Sequence, residues 1–333
     1  MPSVTPSAAA SGTSRALAHS NIALAKYWGK RDVTLNLPDV PSLSMTLSAL
    51  TTVTRVEFDP SATRDELVLN GKLQEPAACA KVVALLDRVR AGAGLQLRAR
   101  VESQNDFPTA SGLASSASGF AALAVAASAA AGWGRNPAEL SDLARSASVS
   151  AARSIFGGFA AIEAGCSSAR PLEVPAAASE LMMVVAVTDP GPKPVGSTSA
   201  MQLTQGSSPY YASFRDSAPL AYQEVRAALL GGDLERLGDA MEHSTLLMHA
   251  CMLAARPALL YWNAATVAAL QCVRELRRDG TFVYFTIDAG PHVKALTTRA
   301  LSERVSAALQ AVPGVQRVIT SGIGDGARVV SEP

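Results

Sequence analysis

Apolar and polar positions alternate most clearly over 43–58 (LSMTLSALTTVTRVEF) and 97–104 (LRARVESQ), a period of two that predicts half-exposed strands. The unbroken apolar run 181–188 (LMMVVAVT) predicts a buried strand, and 281–287 and 315–320 predict two more. Residues 113–131 read as a helix of small residues that starts directly after a Pro/Gly/Ser loop. Asn136-Pro137-Ala138-Glu139 supplies an N-cap, a first-turn proline and an N3 acid, predicting a helix to about Ala147. Further helices are expected near 217–230, 233–254, 258–278 and 298–311. Alanine is frequent enough that propensity alone would favour helix almost everywhere, so period and punctuation carry these assignments. The Gly/Pro-rich stretch DPGPKPVGSTS after the buried strand marks a change of domain. The expected architecture is α+β, with a disordered tail over 1–14, one lobe over 15–188 and a second over 189–333.

Composition narrows the classes of function. The 333 residues are 48% hydrophobic and 17% charged, enough to build a substantial core. A net charge of +1 supplies no global field for nucleic acid, so cations for an anionic ligand must be gathered locally. Two of only six lysines, Lys26 and Lys30, stand four residues apart. The four cysteines are scattered without metal-ligand spacing, which points to a reducing cytoplasmic setting rather than a disulfide framework. The sequence has no secretory pattern or membrane-length apolar run.

The most informative segment is NDFPTASGLASSA, residues 105–117. A strand ends, a loop of small residues follows and a helix begins, so Pro108, Ser111, Gly112, Leu113 and Ala114 let a polyphosphate approach free backbone amides. Ser115 and Ser116 add hydroxyls for phosphate or for nucleotide-bound Mg²⁺. No GK[ST] is present, so this is not a Walker A loop. Taken alone, the same segment also fits a tightly packed helix capped by serines, just as NIALAKYWGKRD (21–32) also fits a strand with a solvated basic end.

Together, however, these segments resemble the mevalonate diphosphate decarboxylase family of the GHMP kinase superfamily. NDFPTASGLASSASGFAALA is similar to its phosphate loop, and NIALAKYWGK to its NIA-x-x-KYWGK opening. SVSAARSIFGGF (148–159) resembles GSGSA-x-RS-x-FGGF, GSTSAM (196–201) resembles SST-x-GM, and TIDAGPH (286–292) resembles T-x-DAGPN. The resemblance runs from about residue 16 to 325. It implies a GHMP kinase-like two-lobed fold, with a ribosomal protein S5 domain 2-like first lobe and a ferredoxin-like second lobe. The implied reaction uses ATP and Mg²⁺ to phosphorylate and decarboxylate mevalonate 5-diphosphate, in a cytoplasmic homodimer that needs no nucleic acid or membrane.

Residue by residue, the resemblance makes Asp288 the catalytic carboxylate and Lys26 the neutralising cation beside it. Arg153 would grip the substrate carboxylate, while Tyr27, Lys30, Ser148, Ser150, Ser197 and Thr198 would hold substrate. This sequence departs from the pattern at Ala147 and Val149, where glycines are usual, and at His292, which replaces asparagine. The first two leave the substrate's phosphorylation state open. A phosphomevalonate decarboxylase or a mevalonate 3-kinase on the same fold is the neighbouring alternative. A metabolite-binding relic is the non-enzymatic one, although Lys26, Arg153 and Asp288 are all retained. His249 is expected to be structural, and Gly322–Gly326 to form a turn.

Overall fold

The computed structural model describes residues 12–107, 114–189, 191 and 195–331. Its first part runs β1 (Thr13–Ala25), β2 (Lys30–Asp32), β3 (Leu37–Pro38), β4 (Ser42–Asp59), β5 (Glu66–Leu69) and β6 (Lys72–Leu73). Next come α1 (Pro76–Ala93), β7 (Arg98–Asn105), α2 (Ser115–Ala130), α3 (Pro137–Ala147), α4 (Val149–Ser154), β8 (Phe159–Ile162), β9 (Arg170–Leu172) and β10 (Leu181–Val187). Four helices follow: α5 (Ser197–Ser207), α6 (Tyr211–Gly231), α7 (Leu234–Leu253) and α8 (Ala264–Arg278). The chain ends with β11 (Val283–Thr286), β12 (Val293–Thr298), α9 (Ser302–Gln310), β13 (Arg317–Ser321) and β14 (Arg328–Val330).

Two sheets organise the molecule. The larger has the order β14-β1-β4-β7-β5-β6, with β8 and β9 continuing from β4; the smaller has the order β11-β12-β10-β13 and is wholly antiparallel. Both are as the α+β expectation requires. The alternation read over 43–58 holds from Leu50 onward, but the stretch Ser42–Leu47 is buried on both faces because α4 and the second sheet cover it. Of the tail expected over 1–14, residues 1–11 lie outside the described residues, and Thr13 and Ser14 belong to β1 instead. Thr13 and Ser14 already pair with Glu57 and Val56, so unsatisfied β4 edge groups draw the chain into the sheet. The last strand, β14, returns to pair with β1 in the first sheet, so residues 189–333 are not confined to the second.

Small side chains decide the packing of α2. Eleven of its residues are buried and most are alanine, so the helix lies close against β1 and β4 with α3 and α4 on its other sides. Asn136 caps α3 as its sequence indicated: its side chain accepts from Glu139 N, and the Glu139 carboxylate accepts from Asn136 N in return. A shared apolar core then joins the sheets. Ile22, Leu24, Leu43 and Met45 of the first pack with Met183, Val185 and Leu296 of the second and with Val225, Leu237 and Met241 of α6 and α7. Side chains from β1 and from the β11–β12 turn can therefore meet at this seam. Among the described residues, no helix is long and apolar enough to cross a membrane.

Candidate active site

The seam holds a cavity of about 500 Å³. Lys26, Tyr27, Lys30, Ala114, Ser115, Ser116, Ser148, Ser150, Arg153, Ser197, Thr198 and Asp288 all line it, although they come from five separate stretches of chain. Pro108, Ser111, Gly112 and Leu113 lie outside the described residues.

Lys26 follows the last residue of β1, where its backbone N–H donates to Ser244 Oγ of α7 at 2.9 Å. Its ammonium meets Asp288 Oδ1 at 2.5 Å. Asp288 stands just past β11, in a turn closed by Gly290 N donating to Asp288 O at 2.7 Å. Thr286, two residues earlier, shares a 3.0 Å hydroxyl contact with Thr245 and donates to Ala23 O at 3.3 Å. These bonds tie the end of β11 to both α7 and β1. The acid is thus presented from a braced edge rather than a free loop.

Arg153 comes from the single-turn helix α4 and is almost wholly buried. Its Nε donates to Ser44 Oγ at 2.8 Å, Nη1 to Ser42 Oγ at 2.6 Å and Nη2 to Asn21 Oδ1 at 3.3 Å. Neutral oxygens orient the guanidinium without cancelling its charge. Lys30 lies on the β2–β3 hairpin, its ammonium donating to Asn36 Oδ1 and standing 5.7 Å from the Tyr27 ring centre. Asn36 adopts φ 54° and donates in turn to Arg145 O at 2.6 Å, so the hairpin tip is bound to the end of α3. Among the described residues, neither Lys30, Lys81 nor Arg153 forms an ion pair with a carboxylate. Lys30 and Arg153 are buried and Lys81 is exposed; the two buried, uncompensated cations are costly unless an anion arrives to pair with them.

Family models for a diphosphomevalonate decarboxylase-like N-terminal domain and a mevalonate 5-diphosphate decarboxylase C-terminal domain match residues 18–171 and 183–321. The chain belongs to the mevalonate diphosphate decarboxylase family. It is 32% identical to the diphosphomevalonate decarboxylase of Candida albicans, over 94% of this chain and 96% of that one. It is 33% identical to the phosphomevalonate decarboxylase of Haloferax volcanii, over 95% and 97%. The fold matches MDDEF solved in complex with MVAPP, AMPPCP and magnesium (39% identity, TM-score 0.91, 97% and 100% coverage). It also matches the mevalonate diphosphate decarboxylase of Staphylococcus aureus (37% identity, TM-score 0.92, 97% and 99% coverage).

Within this decarboxylase framework the electrostatics are uneven. Burial lowers the Lys26 pKa to about 8 despite the opposing pull of Asp288, with Lys294 lowering it further. Burial, then Lys81 and Arg145, bring Lys30 to about 8 as well. Burial raises the Tyr27 phenol to about 12, so it remains a hydrogen-bond donor. For Asp288, burial alone would raise the pKa, but Lys26 and Lys294 outweigh it and hold the carboxyl well below the usual carboxylate range.

Two cations escaped the sequence motifs. Lys81, on α1, lines the cavity and repels Lys30, yet it sits in no recognisable local pattern. Lys294 is fully buried on β12 and reaches Asp288 Oδ2 at 3.2 Å. Its signal was a lone charge in the otherwise uncharged run HVKALTT. His292 accepts from Thr188 N through Nδ1 at 3.2 Å, and His249 packs 4.9 Å from the Trp262 ring with Nε2 donating to Ile287 O at 3.3 Å. Neither lines the cavity.

The start of α2 suits a nucleotide. Ala114 precedes it in the left-handed region (φ 56°), held by Ser20 Oγ donating to Ala114 O at 2.8 Å. Ser115 and Ser116 face both the cavity and an apolar slot of about 160 Å³ bounded by Leu67, Val82, Val101, Phe120 and Leu123. The slot and the cavity therefore adjoin at Ser115 and Ser116. Among the described residues, no three His, Cys, Asp or Glu side chains cluster as a metal site. A divalent ion here would share its ligands with nucleotide phosphates.

Proposed function

We propose that this chain uses ATP to phosphorylate and decarboxylate mevalonate 5-diphosphate, giving isopentenyl diphosphate, ADP, phosphate and CO₂. The observation that carries this reading is the convergence of the Lys26–Asp288 pair at 2.5 Å with the Arg153, Lys30 and Lys81 cations on one cavity. A substrate with a carboxylate at one end and a diphosphate at the other matches that spread of charge. Arg153 takes the carboxylate, since a planar guanidinium already aligned by Ser42 and Ser44 binds it in two-point fashion. Lys30, Lys81, Tyr27, Ser148 and Ser150 take the diphosphate, and Ser197 and Thr198 at the start of α5 add donors to phosphate oxygens.

Asp288 accepts a hydrogen bond from the substrate's 3-hydroxyl and aims its oxygen at the γ-phosphorus of ATP. Because its carboxyl is held so far below the usual range, Asp288 chiefly orients the hydroxyl, whose proton passes to an oxygen of the transferred phosphoryl group as the O–P bond forms and ADP leaves. Lys26 offsets the charge that grows on the hydroxyl oxygen. The tertiary phosphate then leaves with the C–O electrons, the carboxylate C–C bond supplies the new alkene electrons, and CO₂ departs. Arg153 keeps the breaking C–C bond aligned. The α2 amides, Ser115 and Ser116 hold the nucleotide, and Mg²⁺, when bound, spreads the phosphate charge. Four free cysteines fit the cytoplasmic setting included in this proposal.

Ala147 and Val149 line the same cavity, and the side chains they carry in place of the usual glycines favour a shorter tail as the second reading. The test supplies ATP and Mg²⁺ with mevalonate, its 5-phosphate or its 5-diphosphate and follows ADP and CO₂ separately. Equal ADP and CO₂, highest kcat/KM with the 5-diphosphate, is the expected result. A preference for the 5-phosphate would support the second reading, and ADP without CO₂ would replace decarboxylase with kinase.

A further inference from the structure

The four-stranded sheet carries a charge where its pattern calls for an apolar residue. Lys294 is the second residue of β12, opposite Val185 of β10 and Thr286 of β11, on the face where Met183, Val185 and Leu296 form core. It is fully buried and does not line the cavity, so it has no access to substrate. Burying an ammonium without a nearby counter-charge costs several kcal/mol (about that order), which selects against lysine here unless it serves another group. Its ammonium stands 3.2 Å from Asp288 Oδ2, an oxygen that is itself closed off from solvent. The opposite oxygen, Oδ1, meets Lys26, which does line the cavity. One carboxylate therefore sits between two ammonium groups, one behind it and one on the substrate side.

We propose that Lys294 is a positioning residue, which grips the rear oxygen of Asp288 and so keeps the carboxylate ionised with Oδ1 turned toward the reacting hydroxyl. This rests on the role given to Asp288 above. The charged and titratable groups around the pair are Lys26 after β1, Arg153 of α4, His249 of α7 and His292 ahead of β12, with Asp189 beyond His292. Lys26 and Arg153 are cationic and the two imidazoles are held neutral by burial, so Lys294 is one of two close cations on the carboxylate. Removing it raises the Asp288 pKa. It also removes a repulsion from Lys26 and raises that pKa too.

The test compares Lys294→Met, Lys294→Arg and Asp288→Asn in the full chain, with pH profiles of kcat/KM and thermal melts for each. In Lys294→Met the alkaline limb set by Lys26 should move to higher pH, and an acid limb should appear as the Asp288 pKa rises toward the ordinary carboxylate range. kcat should fall at least tenfold while KM for ATP changes little. Lys294→Arg, which keeps the cation, should restore the limb positions. A Met variant with lower stability but unshifted limbs would overturn the proposal, leaving Lys294 as structural only. Near-normal turnover in Asp288→Asn would instead overturn the underlying role of Asp288. Should Lys294→Met fail to fold, Lys294→Gln, which keeps a hydrogen-bond donor but not the charge, takes its place: shifted limbs would support the proposal, and unshifted limbs would overturn it.

Discussion

Lys26 and Asp288 illustrate how an ordinary side chain is given a specific task by its surroundings. Asp288→Asn keeps the size and the turn but removes the negative charge between two lysines. Turnover should fall by about 10³-fold or more, while nucleotide binding measured by calorimetry stays nearly unchanged. Normal turnover would remove Asp288 from the mechanism. A second consequence concerns alkaline pH. The Lys26 pKa lies near 8, below its ordinary 10.5, so its ammonium dominates below pH 8 and is lost as pH rises through that value. Lys30 behaves alike. For the free enzyme, kcat/KM should therefore decline above about pH 8, and the corresponding limb in kcat should lie higher because bound polyanion stabilises both ammonium groups. A kcat/KM profile that stays flat to pH 9.5 would contradict the role of these lysines.

The β2–β3 hairpin shows how an element, rather than a residue, delivers a charge. Gln205 of α5 clamps the Lys30 backbone: Lys30 N donates to its Oε1 at 2.9 Å, and its Nε2 donates to Lys30 O at 3.0 Å. Tyr211 of α6 braces the same hairpin by donating to Asp39 Oδ2 at 2.6 Å. Gly29 is required beside it, since its φ is 98° and an added Cβ would lie 1.9 Å from the Tyr211 hydroxyl. Gln205→Leu should raise KM for the anionic substrate about tenfold, the worth of roughly two hydrogen bonds, with a smaller change in kcat. Steady-state kinetics with varied substrate reads this directly, and an unchanged KM would show that the clamp does not position Lys30. Such nonlocal braces were invisible in the sequence. What could be read was local: the Asn136 cap and the β4, β7 and β10 strands. The α8 start was misplaced to 258 because Asn263 caps it later, and α6 begins at Tyr211, earlier than 217, with Pro219 inside it. The helix α1 and the strand β12 were not read. The alanine-rich pattern of α1 and the single buried lysine of β12 obscure the usual periods.

At the scale of the whole molecule, the candidate active-site cavity and the joint between the two sheets are the same place, so acid should weaken both together. His249 of α7 and His292 before β12 lie near Asp288 without lining the cavity, and burial lowers each imidazole from 6.5 to about 3, with Lys26 adding to the effect at His249 and Lys294 at His292. Both are neutral in the folded chain throughout the range where the unfolded chain binds their protons. Stability is therefore present above pH 6.5 and is lost as pH falls from there toward 3, with a limiting slope of about 1.4 kcal/mol per pH unit for each imidazole. Asp288 adds to the loss below its ordinary carboxylate range, because its folded pKa is depressed. Urea unfolding at pH 7.5, 6.0 and 5.0 should show this decline. His292→Asn supplies a neutral acceptor for Thr188 N without a titrating ring, so it should flatten the slope by about one proton's worth while leaving stability at pH 7.5 within about 1 kcal/mol of the parent. An equally steep decline in His292→Asn would mean that the acid sensitivity arises elsewhere than at the seam, from surface carboxylates whose ion pairs break on protonation.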